Sequence, residues 1–417
     1  MDLFFTIVFY ISVFMVVYVQ VFFLITFFEN RKKIVIRETE TKLNSYPSVT
    51  IIVPCFNEEK TIYHTVRSLL ALNYPKSKLK LFLIDDGSTD STWNTIEKFS
   101  KYPNIKIFQK ENGGKYTALN LGLEQMETDF VGCLDADSTV DKEALVRIMS
   151  YFEKDKEVMA VVPSVVVNNP RGIIQNAQRV EYNMGIYFKK MLGFMGAINV
   201  TPGPFTIFKK KVFNDLGPYR HAHNTEDMEI AYRMQKNSYK IDHCNDAYVY
   251  TNTPFAIGVL FKQRLRWIYG FINNTIDYRE VLFNKKYGNF SIFTLPTGII
   301  SIFTVCFLFS RAVYNLGSSF YSKILQFQTI GFQPSTWFKH FDFFFLNIQA
   351  SFFITIAVYS LVVFSILLGR KLTEGTKEKW GFPYQVVFFL LIFSVLAPVW
   401  ILKAVYHTVV SRTPAWR

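Results

Sequence analysis

The chain has 417 residues, half of them hydrophobic and 17% aromatic, with a formal net charge of +13. That composition excludes intrinsic disorder, and four scattered cysteines with no CxxC pair exclude a disulfide framework and structural zinc. The basic balance leaves nucleic acid, an anionic membrane surface or a phosphorylated substrate as partners.

Residues 3–28 carry no charge, enough to cross roughly 30 Å of hydrocarbon at about 1.5 Å per residue. Asp2 precedes this block and Arg31-Lys32-Lys33 follow it, so it reads as an anchor rather than a cleaved signal peptide. Residues 49–53 form a β-branched run ending at Pro54, and 58–72 carry apolar residues at helical spacing. A second buried-strand pattern, 79–84, closes on Asp85-Asp86-Gly87-Ser88. A helix over 89–101 follows, with Ser88 or Asp90 as cap. Residues 105–109 give a third strand, 115–126 a third helix, and 130–134 a fourth strand closing on Asp135-Ala136-Asp137. This alternation predicts an α/β domain with a mainly parallel sheet and helices on both faces.

Thr225-Glu226-Asp227 opens a helical stretch, 228–236. Residues 254–283 mix apolar and basic side chains around Gln263-Arg264-Leu265-Arg266-Trp267, the pattern of an interfacial amphipathic helix. Apolar blocks at 290–310, 345–369 and 383–406 complete an all-α membrane part of about four helices, with Pro296 and Pro398 inside two of them. The chain thus divides into an anchor (1–30), a soluble domain (48–253), an interfacial segment (254–285) and a membrane part (290–410). Arg31, Lys32, Lys33, Arg37 and Lys42 follow the first helix, and Lys285 and Lys286 precede the second. Arg370, Lys371, Lys377 and Lys379 lie between the third and fourth. By the positive-inside rule the N-terminus and the 311–343 segment are outside and the soluble domain is cytoplasmic. Arg412 and Arg417 make the C-terminal side ambiguous.

Ligands of open parallel sheets bind beyond the carboxyl ends of the strands, where both acidic clusters fall. Helix capping explains either cluster alone. Two on one edge repel unless a cation joins them, and Asp135 and Asp137 suit a Mg²⁺ or Mn²⁺ that also grips phosphate. Glu111-Asn112-Gly113-Gly114-Lys115 is a turn opening a helix, an anion cradle beside that metal pair. No GxxxxGK[ST] or GxGxxG loop follows a strand, and no nucleic-acid reader motif occurs. Glu226 and Asp227 suit an N-terminal turn by the helix dipole, and a carboxylate there can also act as a base toward a sugar hydroxyl. Arg266 can hold phosphate in forked geometry, and the Trp267 indole can stack on a sugar ring.

These four motifs in this order resemble the signature of membrane-embedded processive glycosyltransferases of family 2, which make cellulose, chitin, hyaluronan and poly-N-acetylglucosamine. The resemblance spans about residues 48–275. Segments 111–120, 133–141, 203–210 and 262–270 are most similar to those of bacterial poly-β-1,6-N-acetylglucosamine synthases. Thr201-Pro202-Gly203-Pro204 and Ile268-Tyr269-Gly270 depart from that group's pattern, both on the acceptor side. The resemblance implies a GT-A fold, a UDP-sugar donor, best UDP-N-acetylglucosamine, and inverting transfer to a growing polysaccharide. It implies donor contacts from Pro54, Asn57, Glu58, Asp85, Asp86, Lys115, Asp135, Gln263 and Arg266. Asp137, with Asp135, would hold the metal, and Asp227 beside Glu226 would be the base. Gly203, Pro204, Phe205 and Trp267 would meet the acceptor. The membrane helices, which the resemblance places in the inner or plasma membrane, would line an exit path, alone or with a small partner subunit. Two other readings remain: a non-processive transferase acting on a lipid carrier, and an inactive scaffold or channel subunit.

Overall fold

The aliphatic runs of residues 49–251 pair into one eight-stranded sheet of order β3-β2-β1-β4-β7-β6-β8-β5. The strands are β1 (Val49–Cys55), β2 (Leu79–Asp86), β3 (Ile105–Lys110), β4 (Phe130–Cys133), β5 (Ser138–Val140), β6 (Val158–Val167), β7 (Ile207–Lys209) and β8 (Lys240–Thr251). The computed structural model of the chain describes residues 2–34, 42–331, 350–373 and 383–414. The expected positions Arg37, Lys377, Lys379 and Arg417, with residues 332–343 and 345–349, lie outside the described residues.

The first four strands are parallel neighbours, as the alternation predicts. The second half is mixed: β7 runs antiparallel to β4 and β6, and β5 antiparallel to β8, while β6 and β8 are parallel. Strand periodicity sorts the core into two layers. From β1, Ile51 and Val53 pack with Leu81 and Leu83 toward α2 (Ile62–Leu70) and α5 (Ala144–Lys154). Ile52, Phe82 and Ile84 face the other way, toward α4 (Lys115–Gln125) and α8 (Glu226–Lys236). Pro54 is paired with Ile84 and Cys55 with Asp85 inside β1, so the strand extends two residues past the expected 49–53 run. The helix expected over 89–101 is the shorter α3 (Thr92–Glu97), whose N-cap is Ser91 rather than Ser88 or Asp90, although the Asp90 carboxylate just before it accepts from the Thr92 amide at 3.0 Å. Ser88 instead accepts from the Asn57 amide.

Among the described residues, three helical stretches are long and apolar enough to cross a membrane: Leu3–Lys33, Phe290–Thr329 and Tyr384–Val409. They comprise α1 (Asp2–Asn30), α10 (Leu295–Ile330) and α12 (Tyr384–Val409). The expected 345–369 block overlaps α11 (Ala350–Leu372), part of which lies outside the described side chains. Between sheet and bundle runs α6 (Gly172–Phe194), which touches β6 and β8 on one side and α1, α11 and α12 on the other. The remaining helices are α7 (Lys210–Leu216) and α9 (Ile257–Asp277).

Gly369 of α11 meets the α6 backbone directly. A Cβ there would stand 2.3 Å from the Asn183 carbonyl oxygen, a partner that cannot swing away. Gly369→Ala is therefore expected to destabilise the protein by about 1–3 kcal/mol, the usual range for overpacking. The thermal midpoint of purified variant and parent in the same detergent checks this, and an unchanged midpoint would contradict the contact.

Candidate active site

The carboxyl ends of β1, β2 and β4 open on one edge of the sheet, and the acidic clusters sit there. Asp85 is fully buried and accepts from the Ser88 amide and the Gln109 side-chain amide, both at 3.3 Å. Asp86 accepts from the amides of Gly113 (3.1 Å) and Gly114 (2.9 Å) and from the Lys110 ammonium (2.7 Å). The glycine turn expected as an anion cradle thus holds the chain's own carboxylate, because two free N–H groups beside a buried Asp satisfy it at once. Asn57, at φ +54°, accepts from the Thr89 amide at 2.9 Å and ties the β1 and β2 loops together. The Glu58 amide donates to the Thr92 hydroxyl at 2.8 Å in the same join.

Lys115, the first residue of α4, stands 2.6 Å from Asp135 and 3.3 Å from Glu226. It therefore links the end of β4 to the start of α8. Burial pulls its ammonium down, but Asp135 and Glu226 outweigh burial and hold it well above the usual lysine range. Gly203 lets the chain close over this pair, since a Cβ there would lie 2.6 Å from the Lys115 nitrogen and 3.0 Å from Asp135. Asp137 is pushed up to about 7, first by burial and then by the charges of Asp135 and Glu58. Asp227 is pushed up to about 6 by burial and by Glu226, with Lys115 and Arg266 opposing.

A turn at residues 222–224 leads into Asp227 and is held against α9. Ala222, His223 and Asn224 all take positive φ, 44°, 55° and 61°, a left-handed run that non-glycine residues rarely adopt. Arg266 donates to the Asn224 carbonyl at 2.6 Å, and the His223 ring pairs with Asp277 at 2.8 Å. Asn274 donates to the Thr225 hydroxyl at 2.9 Å, and Gly270 admits Thr225 where a Cβ would approach to 2.4 Å. From the other side, the Thr201 amide and hydroxyl donate to the Asp227 carbonyl at 3.1 and 2.8 Å.

The sequence profile of Glycosyl transferase family 2 matches residues 50–217, which take in both aspartate clusters and the glycine turn. The poly-beta-1,6-N-acetyl-D-glucosamine synthase of Staphylococcus aureus (strain COL) is 32% identical over 280 residues, 64% of this chain and 67% of that protein. The chain belongs to glycosyltransferase family 2. The synthase of the same name from Staphylococcus epidermidis is 34% identical over 224 residues, 53% of this chain, and the chain spans 54% of that relative's length. The solved mannosyltransferase PcManGT of Pyrobaculum calidifontis, in complex with GDP-Man and Mn²⁺, superposes with a TM-score of 0.52. At 16% identity over 86% of this chain and 97% of that one, it shows that the family 2 domain has the GT-A-like fold expected.

Within this family 2 glycosyltransferase, Lys115, Asp135, Glu226 and Gly203 converge by distance, and Asp137 and Asp227 both feel the charges of Asp135 and Lys115, Asp227 that of Arg266 as well. One expected residue is displaced. Phe205, expected at the acceptor entrance, is fully buried in the core among β1 and β4 side chains, because its φ of +66° turns the ring away from the edge. Among the described residues no three His, Cys, Asp or Glu side chains form a metal-holding group. Asp137, raised in part by the charge of Asp135, still fits with it a divalent cation that takes its other ligands from phosphate and water, the usual arrangement for Mg²⁺. Sequence reasoning missed Glu181, Tyr182 and Lys189 on α6. The α6 segment carries no motif, and only the fold brings it against the site. Burial pushes Lys189 down to about 8, and Asp227 is the charge that opposes the shift.

Proposed function

We propose that the chain is an inverting, processive β-glycosyltransferase that moves sugar from a UDP-sugar, best UDP-N-acetylglucosamine, onto a growing extracellular polysaccharide. The observation that carries the reading is the position of Asp227: a half-buried carboxylate pushed up to about 6, held at its main-chain carbonyl by Thr201, with Lys115 and Arg266 as the opposing charges. A base near the working pH takes a hydroxyl proton efficiently, and one base suffices for an inverting displacement.

Asp227 would deprotonate the acceptor hydroxyl as it attacks the anomeric carbon. Lys115 and Arg266 would carry the negative charge that grows on the diphosphate leaving group, and such preset charges are commonly the largest catalytic contribution. Lys115 would do so by loosening its hold on Asp135 and Glu226. Asp135 and Asp137 would hold a divalent cation, Mg²⁺ or Mn²⁺, which when bound supplies further charge to the diphosphate. Asp85, Asp86 and the Pro54 to Glu58 loop would shape the nucleotide pocket, Gln263 would close over the diphosphate, and Trp267 would stack on the acceptor sugar beside Gly203 and Pro204. Three candidate membrane stretches beside this domain support a site at the cytoplasmic membrane face, the N-terminus outside, and an exit path lined by these helices or completed by a partner subunit.

Purified protein in lipid, given Mg²⁺ and labelled UDP-N-acetylglucosamine, is expected to make a cation-dependent ladder or polymer. Transfer of a single sugar to lipid would replace processive synthesis with lipid glycosylation. No incorporation from this donor, but incorporation from another UDP-sugar, would change the sugar alone.

A further inference from the structure

We propose that Glu181 and Arg264 are positioning residues that set Trp267 for transfer, Glu181 acting on the acceptor side entirely through Arg264. This rests on the functional reading above. Arg264 is only 4% exposed. One of its terminal nitrogens donates to the Glu181 carboxylate at 2.5 Å, and the other donates to the Gln263 side-chain oxygen at 2.9 Å. The guanidinium carbon lies 4.0 Å from the centre of the Trp267 ring and 5.9 Å from that of Tyr182. One arginine therefore fixes two neighbours in its own motif and joins α9 to α6.

Stability does not account for the pair. A buried ion pair is often no more stabilising than apolar side chains of the same volume, since desolvation cancels most of the attraction. Burial pushes the Glu181 carboxyl up while Arg264 pulls it down. What the arrangement supplies is orientation. A planar guanidinium fixes the plane of an indole against which it lies, and its fork fixes the direction of its carboxylate and amide partners. Lysine could keep the charge but not the plane.

Its place in the site gives that orientation a use. Tyr182, beside Glu181, feels the charge of Asp137, and Lys189, two turns along α6, feels that of Asp227. This face of α6 thus runs from the candidate cation site to the candidate base, and Glu181 anchors α9 to it. If Arg264 lost its anchor, the Trp267 ring would turn, while Gln263, the adjacent residue on the same helix, and the nucleotide loops of β1 and β2 stayed in place.

The test uses the full chain in lipid nanodiscs with Mg²⁺, UDP-N-acetylglucosamine and a short β-1,6-linked N-acetylglucosamine acceptor. Glu181→Gln is expected to lower kcat over acceptor KM by about tenfold or more, within the range that a roughly 1 Å misplacement can cost. Donor KM should change less than about twofold. Glu181→Asp should recover much of the loss. Arg264→Lys should reproduce the acceptor defect although it keeps the ion pair, and it carries the same test if Glu181→Gln does not fold. The pair Glu181→Gln with Trp267→Ala should be no worse than Trp267→Ala alone, because both act through one ring. Multiplying effects, equal damage to donor and acceptor constants, or unaltered kinetics in both Glu181→Gln and Arg264→Lys would overturn the assignment. A parent protein that transfers no sugar from any UDP-sugar would overturn the functional reading, and the inference with it.

Discussion

Replacing Asp227 by asparagine is expected to lower sugar transfer by roughly 10²–10⁴-fold, the usual worth of a positioned general base, while UDP binding survives. Asparagine keeps the size of the side chain, and the Thr201 contacts are to the Asp227 main-chain carbonyl, so the geometry persists. In the parent, kcat over KM should fall about tenfold per pH unit below about 6 as Asp227 takes up its proton, and the variant's residual rate should lack that limb. Stability should move the opposite way. The folded carboxyl titrates near 6, above its ordinary value of 3.8, so between these pH values the folded form binds more proton than the unfolded chain. Stability is therefore lost as the pH rises through that window, and the deficit persists at neutral pH. Asp227→Asn should unfold at a higher temperature than the parent at neutral pH, with the gap closing below about pH 4. A variant with near-normal transfer would rule out Asp227 as the base.

Asp137→Ala is expected to remove the part of donor binding that depends on a divalent cation and to reduce transfer by roughly 10³-fold, matching the several kcal/mol such an ion contributes. UDP titrations with and without Mn²⁺ separate the two states. Parent and variant should bind alike in chelator, and only the parent should tighten on adding the ion. Because Asp137 is pushed up to about 7, cation binding near neutral pH should release part of a proton. Calorimetry in two buffers of different ionisation enthalpy measures this. Identical tightening in the variant would place the ion elsewhere.

The sheet edge that carries the proposed nucleotide half of the site was largely legible in the sequence. Strand runs that stop at Asp85-Asp86 and Asp135-Ala136-Asp137 mark the carboxyl edge of a parallel sheet, and a sheet of that kind has one side for ligands. The acceptor half was not. Glu181 and Lys189 lie on a helix with no turn or strand end to flag them, and their relevance comes only from α9 and α8 folding across it. Phe205 shows the opposite failure: the family pattern is present, but a left-handed backbone sends the ring inward. The glycine turn before Lys115 read as an open anion site because sequence spacing cannot show that Asp86, 27 and 28 residues from its donors, fills it first. The mixed pairing of β5 to β8 likewise depends on long-range register, which local alternation does not encode.

The left-handed run at Ala222, His223 and Asn224 has a consequence for selection experiments. Each such residue carries strain of about 1–3 kcal/mol, released by glycine, which adopts that backbone freely. A screen for heat resistance should therefore collect glycine substitutions here early. The same glycines would slacken the turn that Arg266 and Asp277 hold taut ahead of Asp227, so these clones should survive heating better and polymerise more slowly. Thermal selection and turnover are therefore expected to pull this loop in opposite directions.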